Sequence, residues 1–129
     1  MRIELACLVA NALWGLFLVQ VEILGKTRVA GTAWNMGNRD ATPAFPPWID
    51  RAGRALANHK ENFPLFLTAV VVVELTGHGD RTSAIAAVVY VLARAAHGVL
   101  YIAGVKGSRS ATFIVGLLAA LVVLARGVF

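Results

Sequence analysis

Four long apolar runs, Ile3 to Leu24, Ile49 to Thr76, Thr82 to Val105 and Arg109 to Phe129, take up most of this chain and leave few folds open to it. A helix needs about 20 residues to cross a hydrocarbon core about 30 Å thick, and each run is long enough. The last two connections are short, which makes the helices they join antiparallel neighbours. Only residues 25–48 form a long connection, rich in Gly and carrying Pro43, Pro46 and Pro47. The expected fold is therefore all-α, an integral membrane four-helix up-down bundle in one transmembrane domain covering residues 1–129. Composition agrees: 58% hydrophobic and 15% charged residues, with a mean hydropathy of +0.70, leave too little charge to coat a water-soluble domain. Cleavage of the first run as a signal peptide, suggested by the small residues "VAGTA" after it, fits poorly, because the run is long and Arg2 is offset by Glu4.

The charges are ordered by position. The net charge of +5 is gathered at the ends of the apolar runs and forms no basic face interleaved with aromatics, so no nucleic-acid partner is expected. Lys26, Arg28, Arg39, Arg51, Arg54, Lys60, Lys106 and Arg109 fall on one side of the membrane, against Arg2, Arg81 and Arg126 on the other. The positive-inside rule then puts the long loop and the third connection in the cytoplasm, and both termini outside. Lys26 and Arg28 read as topology anchors at the headgroups. Cys7 is the only cysteine, so no intrachain disulfide can form, and no Cys/His spacing suits a metal.

Two spans carry polar faces. At 100° per residue, Arg51, Arg54, Asn58 and Glu61 lie within an arc of roughly 80°, and Tyr90, Arg94, His97 and Tyr101 within roughly 60°. Lys60 points away from the first arc and can snorkel. Arg94 lies near the middle of its span, where an unpaired guanidinium is costly. Counting about 1.5 Å per residue from the external connection puts Arg94 roughly 18 Å deep, with His97 and Glu61 both roughly 22 Å deep. The expectation is a Glu61–Arg94 ion pair inside a hydrated pocket that binds an anion, in the cytoplasmic half of the membrane. Glu74 is too shallow and on the wrong side of its helix to serve Arg94. A plain interhelical clamp, with the tyrosines as belt residues, is the competing reading of these same groups. Pro64, inside the second span, is expected to bend it.

The pattern Arg51-x-x-Arg54-Ala55-x-x-Asn58-x-x-Glu61-x-x-Pro64-x-Phe66, with Arg94-x-x-His97-x-x-x-Tyr101 and Arg109-Ser110, resembles the MAPEG family, membrane-associated proteins in eicosanoid and glutathione metabolism. "GNRD" at 37–40 and "PPWIDRAGRALANHKENFPLF" look like its bacterial branch, which implies an inner-membrane location. The resemblance covers nearly the whole chain. It implies a homotrimer that binds glutathione, as co-substrate, between neighbouring subunits on the cytoplasmic side. Arg54, Asn58, Glu61, Arg94, His97, Tyr101 and Arg109 become candidate glutathione contacts, with Arg51 on the same face. Arginines suit the two carboxylates of glutathione, and a carboxylate suits its α-amino group. Arg109, at the mouth of the fourth helix, is the candidate catalytic residue that stabilises the thiolate, with Ser110 as helper or simply a first-turn helix residue. Ala57 stands where several members carry a basic residue, so one carboxylate anchor is missing.

These residues point first to an enzyme, a membrane-bound glutathione-dependent transferase or peroxidase acting on lipophilic small molecules that enter from the membrane lipid, with no metal. The alternative is a non-catalytic lipid-binding or scaffold protein of the same family. A small four-span drug exporter is a third reading, but such pumps need a carboxylate deep in the first span, and Glu4 and Glu22 lie near its ends.

Overall fold

The computed structural model describes residues 2–129, and among them every regular element is helical. Helix α1 spans Ile3–Ala30, α2 Thr32–Met36, α3 Pro47–Thr76, α4 Arg81–Ala103 and α5 Ser108–Val128. Each boundary has a local cause. Pro47 opens α3, where its fixed φ suits the first turn and its missing N–H costs nothing. Gly77 and Gly104 close α3 and α4 in the left-handed region, at φ 71 and 79, which spares them the Cβ penalty. Asp80 and Ser83 form a reciprocal capping box at the start of α4.

Helix α1 outruns its apolar stretch. The stretch ends at Leu24, yet the helix continues to Ala30 and carries Lys26 and Arg28 on its last turns. The long connection is also partly folded. Gly31 (φ 90) ends helix α1, the single turn α2 follows, and Trp34 donates to the Ala41 carbonyl at 2.7 Å while its ring meets Phe45 edge-on.

By length and apolarity three helices, α1, α4 and α5, can cross a membrane. Helix α3 falls short of that standard because its N-terminal half carries the charges. Its ends nevertheless lie on opposite sides of the bundle. Near its start, Arg51 Nε donates to the Ile102 carbonyl at the end of α4 (2.8 Å). Its last residue, Thr76, is only a short turn from the start of α4. The four long helices thus alternate in direction and share one thickness.

Small residues let them approach. Ala69, Ala87 and Ala120 are fully buried around the stacked pair Phe66–Tyr90, whose ring centroids are 3.9 Å apart. A Cβ at Gly127 would sit 2.9 Å from the Val73 backbone nitrogen, so α3 and α5 touch there almost backbone to backbone. Helix α3 continues as helix through Pro64. One end of the bundle is tied by polar contacts. Arg126 grips Asp80 through two nitrogens (2.7 and 3.1 Å), and buried Glu4 accepts a hydrogen bond from Ser83. Arg2 and Glu74 lie 3.9 Å apart.

Candidate functional site

The opposite end holds a different arrangement. Helices α3, α4 and α5 border an open cavity of about 360 Å³ lined by Asn58, His97, Tyr101, Arg109, Ser110, Phe113 and Ile114. Five of these seven are polar residues singled out from the sequence, drawn from three helices. The short α4–α5 turn makes that convergence possible, because it folds Arg109 and Ser110 back beside the last turns of α4.

Arg94 sits just behind the cavity at 2% exposure. Its Nη2 donates to Asn58 Oδ1 at 2.7 Å, and its Nε has no partner. No carboxylate lies within ion-pair distance among the described residues. The expected Glu61–Arg94 pair therefore does not form within the subunit, and Glu61 is exposed instead. Helix position fixes the height of a Cα, and a long arginine stem lets the head group find its partner well away from that level. The amide of Asn58 takes the place assigned to the carboxylate.

Two further contacts shape the site. His97 Nδ1 meets the Arg109 carbonyl at 3.0 Å, and Thr112 Oγ1 donates to the same oxygen at 2.8 Å. The His97 contact ties the first turn of α5 to α4, while the Thr112 bond lies within α5. The Arg109 guanidinium then lies over the Tyr101 ring, 4.3 Å from its centroid, a cation–π contact that leaves its N–H edges free. The His97 ring in turn stands edge-on to Tyr101 and tilted against Phe113.

Three candidates stand apart from the cavity. Arg51 is spent on the C-terminus of α4, where a cation meets the negative end of the helix dipole. Arg54 and Glu61 are exposed on α3 and make no ion pair among the described residues. Sequence reasoning also missed groups that matter here. Phe113 and Ile114 form the apolar wall, and Thr112 holds the Arg109 carbonyl. All three follow Arg109 by three to five residues, so one turn of helix could have flagged them. Asn11 and His59, both buried, keep polar atoms without partners, and nothing in their spacing marked them.

A larger concavity of about 690 Å³ lies at the other end, along Arg2, Glu4, Asp80 and Arg81 and then Ile85, Val88 and Val89. Its carboxylates are already engaged with Ser83 and Arg126, and its apolar length is an exposed face of α4. Size alone favours it, but chemistry favours the smaller cavity. Among the described residues, an arginine edge, a hydroxyl and an apolar wall face one space there.

Long apolar helices and small-residue packing define an integral membrane helical bundle, with Arg109 and His97 beside a pocket at one end. Residues 5–129 match the MAPEG family, and the chain belongs to it. Membership places the protein in membrane-bound glutathione-related or eicosanoid metabolism. Neither curated proteins nor solved structures gave a match.

Proposed function

We propose that this protein is a glutathione-dependent transferase or peroxidase acting on lipophilic electrophiles. The observation that carries the reading is the cavity in which Asn58, His97, Tyr101, Arg109 and Ser110 share space with the apolar side chains of Phe113 and Ile114. Glutathione supplies carboxylates for arginine and a thiol, and a lipid-soluble substrate supplies the reacting carbon or peroxide oxygen. The free edge of Arg109 stabilises the thiolate once its proton has passed to water, and Ser110 is close enough in sequence to donate to the same sulfur. Attack on carbon forms a thioether and expels the leaving group. In peroxide reduction two thiols become a disulfide while the peroxide becomes an alcohol and water.

Arg54 and Glu61 enter this reading through a neighbour. Charged groups on an outward helix face inside a membrane are costly against lipid, so a homotrimer, with glutathione between subunits, would cover them. The excess of basic residues on the site's side supports a cytoplasmic opening with both termini outside, in a bacterial inner membrane.

Thermal stabilisation by glutathione in detergent, together with conjugation of a generic aryl halide, tests the proposal. Silence in both would retire it. The non-catalytic lipid-binding alternative draws on the larger apolar concavity along α4. Arg109→Ala separates the two: an enzyme loses about 10²–10³ in kcat, the scale of one oxyanion-hole donor, whereas a binder keeps its ligand affinity and has no turnover to lose.

A further inference from the structure

Helix α4 packs against α1 on one side and α5 on the other, while α1 and α5 are not in contact among the described residues. The outer face of α4 is therefore a ridge of exposed side chains, Ile85, Val88, Val89 and Leu92, with a groove on each side. The groove toward α1 is the concavity of about 690 Å³ described above. The groove toward α5 has a volume of about 420 Å³, with Val115, Leu118 and Val122 of α5 as its far wall. Ile85 and Val89 belong to both grooves. They are one helical turn apart on the same face, so the grooves run side by side with a single row of side chains between them. Small residues open the space, Ala84 on the α1 side and Ala86 and Ala119 on the α5 side.

Both grooves start at the same membrane boundary. Arg81 is the first residue of α4, and Arg2 immediately precedes α1. Ile85 and Val89 lie about 6 and 12 Å further along α4. The Arg2 head group reaches the turn before α4, where a Cβ on Gly79 would sit 2.9 Å from its Nη1. The charges at this boundary are unequally committed. Asp80 is held by Arg126, and Glu4 by Ser83. Arg2 stands 3.9 Å from Glu74, the outer limit of an ion pair. Arg81 is exposed and forms no ion pair among the described residues. The paired grooves thus have a cationic end at headgroup level and apolar walls below it.

We propose that these grooves hold one anionic diacyl phospholipid, its phosphate between Arg81 and Arg2 and one acyl chain on each side of the Ile85–Val89 row. A guanidinium fork matches phosphate oxygens bidentately, and a basic site at the membrane surface selects anionic headgroups. Two grooves with one shared wall and one cationic end fit a molecule with two chains and one headgroup. A single-chain amphiphile fills one groove only, and a free phosphate uses neither. The site lies at the opposite end of the bundle from Arg109 and owes nothing to the glutathione chemistry.

Native mass spectrometry of the full chain, exchanged in detergent until bulk lipid is removed, tests this by titration with defined lipids. Phosphatidylglycerol should bind at one molecule per chain, about tenfold or more tightly than phosphatidylcholine with the same chains. It should also outbind lysophosphatidylglycerol by about tenfold or more, and inorganic phosphate should not displace it. These comparisons need no variant. Arg81→Gln should erase most of the headgroup preference, and Arg81→Lys should keep most of it. Leu118→Trp, at a side chain already exposed, narrows the α5 groove and should erase the preference for two chains.

Equal retention of the two headgroups, or an indifferent Arg81→Gln, would leave only bulk annular lipid and overturn the site. Displacement by inorganic phosphate, with one chain serving as well as two, would show a bare anion site and overturn it as well. A change of oligomer mass in Leu118→Trp would give this face to another copy of the chain, which also overturns it. Selective phosphatidylglycerol binding by a wild type that ignores glutathione would support the site while retiring the proposed activity.

Discussion

Asn58 is the side chain whose loss the structure prices most directly. Arg94 is 2% exposed, donates one side-chain hydrogen bond, to Asn58 Oδ1 at 2.7 Å, and already has an unpartnered Nε. Asn58→Ala removes that acceptor and little packing, because Asn58 is itself only half-buried. A hydrogen bond to a charged group contributes about 1.5–3 kcal/mol. Spread over 129 residues with an unfolding entropy of about 2.1 cal/mol/K per residue, that corresponds to a fall in Tm of roughly 6–11 °C. Arg94→Met in the same background removes the stranded cation, so the double variant should regain much of the loss, giving a coupling of at least about 1 kcal/mol. Thermal denaturation of the four proteins in one detergent, without thiol ligand, measures the cycle. If Asn58→Ala melts within about 2 °C of the wild type, or if the two effects simply add, the Asn58 hydrogen bond does not hold Arg94 and the account of the buried guanidinium fails.

Other outcomes follow from particular contacts. Gly127→Ala places a methyl 2.9 Å from the Val73 backbone nitrogen, which forces α3 and α5 apart; overpacking of about 1–3 kcal/mol should outweigh the helix-propensity gain of up to about 1 kcal/mol, and an unchanged or raised Tm would show that the helices have slack. Asp80, outside the spans, has its carboxyl held below the usual aspartate range by the Ser83 backbone amide and then by Arg126. A depressed folded-state pKa contributes stability above the ordinary aspartate pKa and loses it as pH falls through the folded value. Acidification below about pH 4 should therefore lower Tm in the wild type more than in Asp80→Asn, and parallel pH profiles would contradict this. Phe113→Ala should enlarge the cavity and shift relative kcat/KM toward bulkier electrophiles by roughly 10-fold, and an unchanged ranking would remove Phe113 from the substrate wall.

How much of this was legible beforehand depends on which physical signal was in use. Helical periodicity placed Tyr90, Arg94, His97 and Tyr101 on one face, and the short turn after α4 made Arg109 and Ser110 their neighbours; four of those six line the cavity. Helix height was a weaker guide. It paired Glu61 with Arg94, whereas the guanidinium reaches Asn58, because position along an axis says little about the far end of a four-atom stem. Periodicity also presents the polar arc on α3 as one unit, yet its members part company. Arg51 turns to the end of α4, Asn58 turns inward, and Arg54 and Glu61 remain outside. An arc of 80° is wide enough to address both a neighbour in the bundle and empty space. Charge composition likewise lowered the apolarity of α3 below that of its three companions, although its ends are fixed at opposite sides of the same bundle.

The two guanidiniums at the site are held in contrasting ways, and the contrast bears on what each can do. Arg94 is buried and hydrogen-bonded to an amide, with no carboxylate at ion-pair distance among the described residues, so it projects positive potential into the cavity without being free to follow a substrate. Arg109 is anchored through its backbone, by His97 and Thr112 on its carbonyl, while its head group rests on an aromatic face and keeps its donors unspent. A fixed charge costs no reorganisation when negative charge develops nearby. A partly exposed one, pinned at its base, would on the proposed chemistry close on the sulfur and release it. On the proposed chemistry, removing Arg94 would weaken binding of any anionic ligand across the whole site, whereas removing Arg109 would act on the reacting sulfur. Glutathione Kd and kcat should accordingly respond to different arginines.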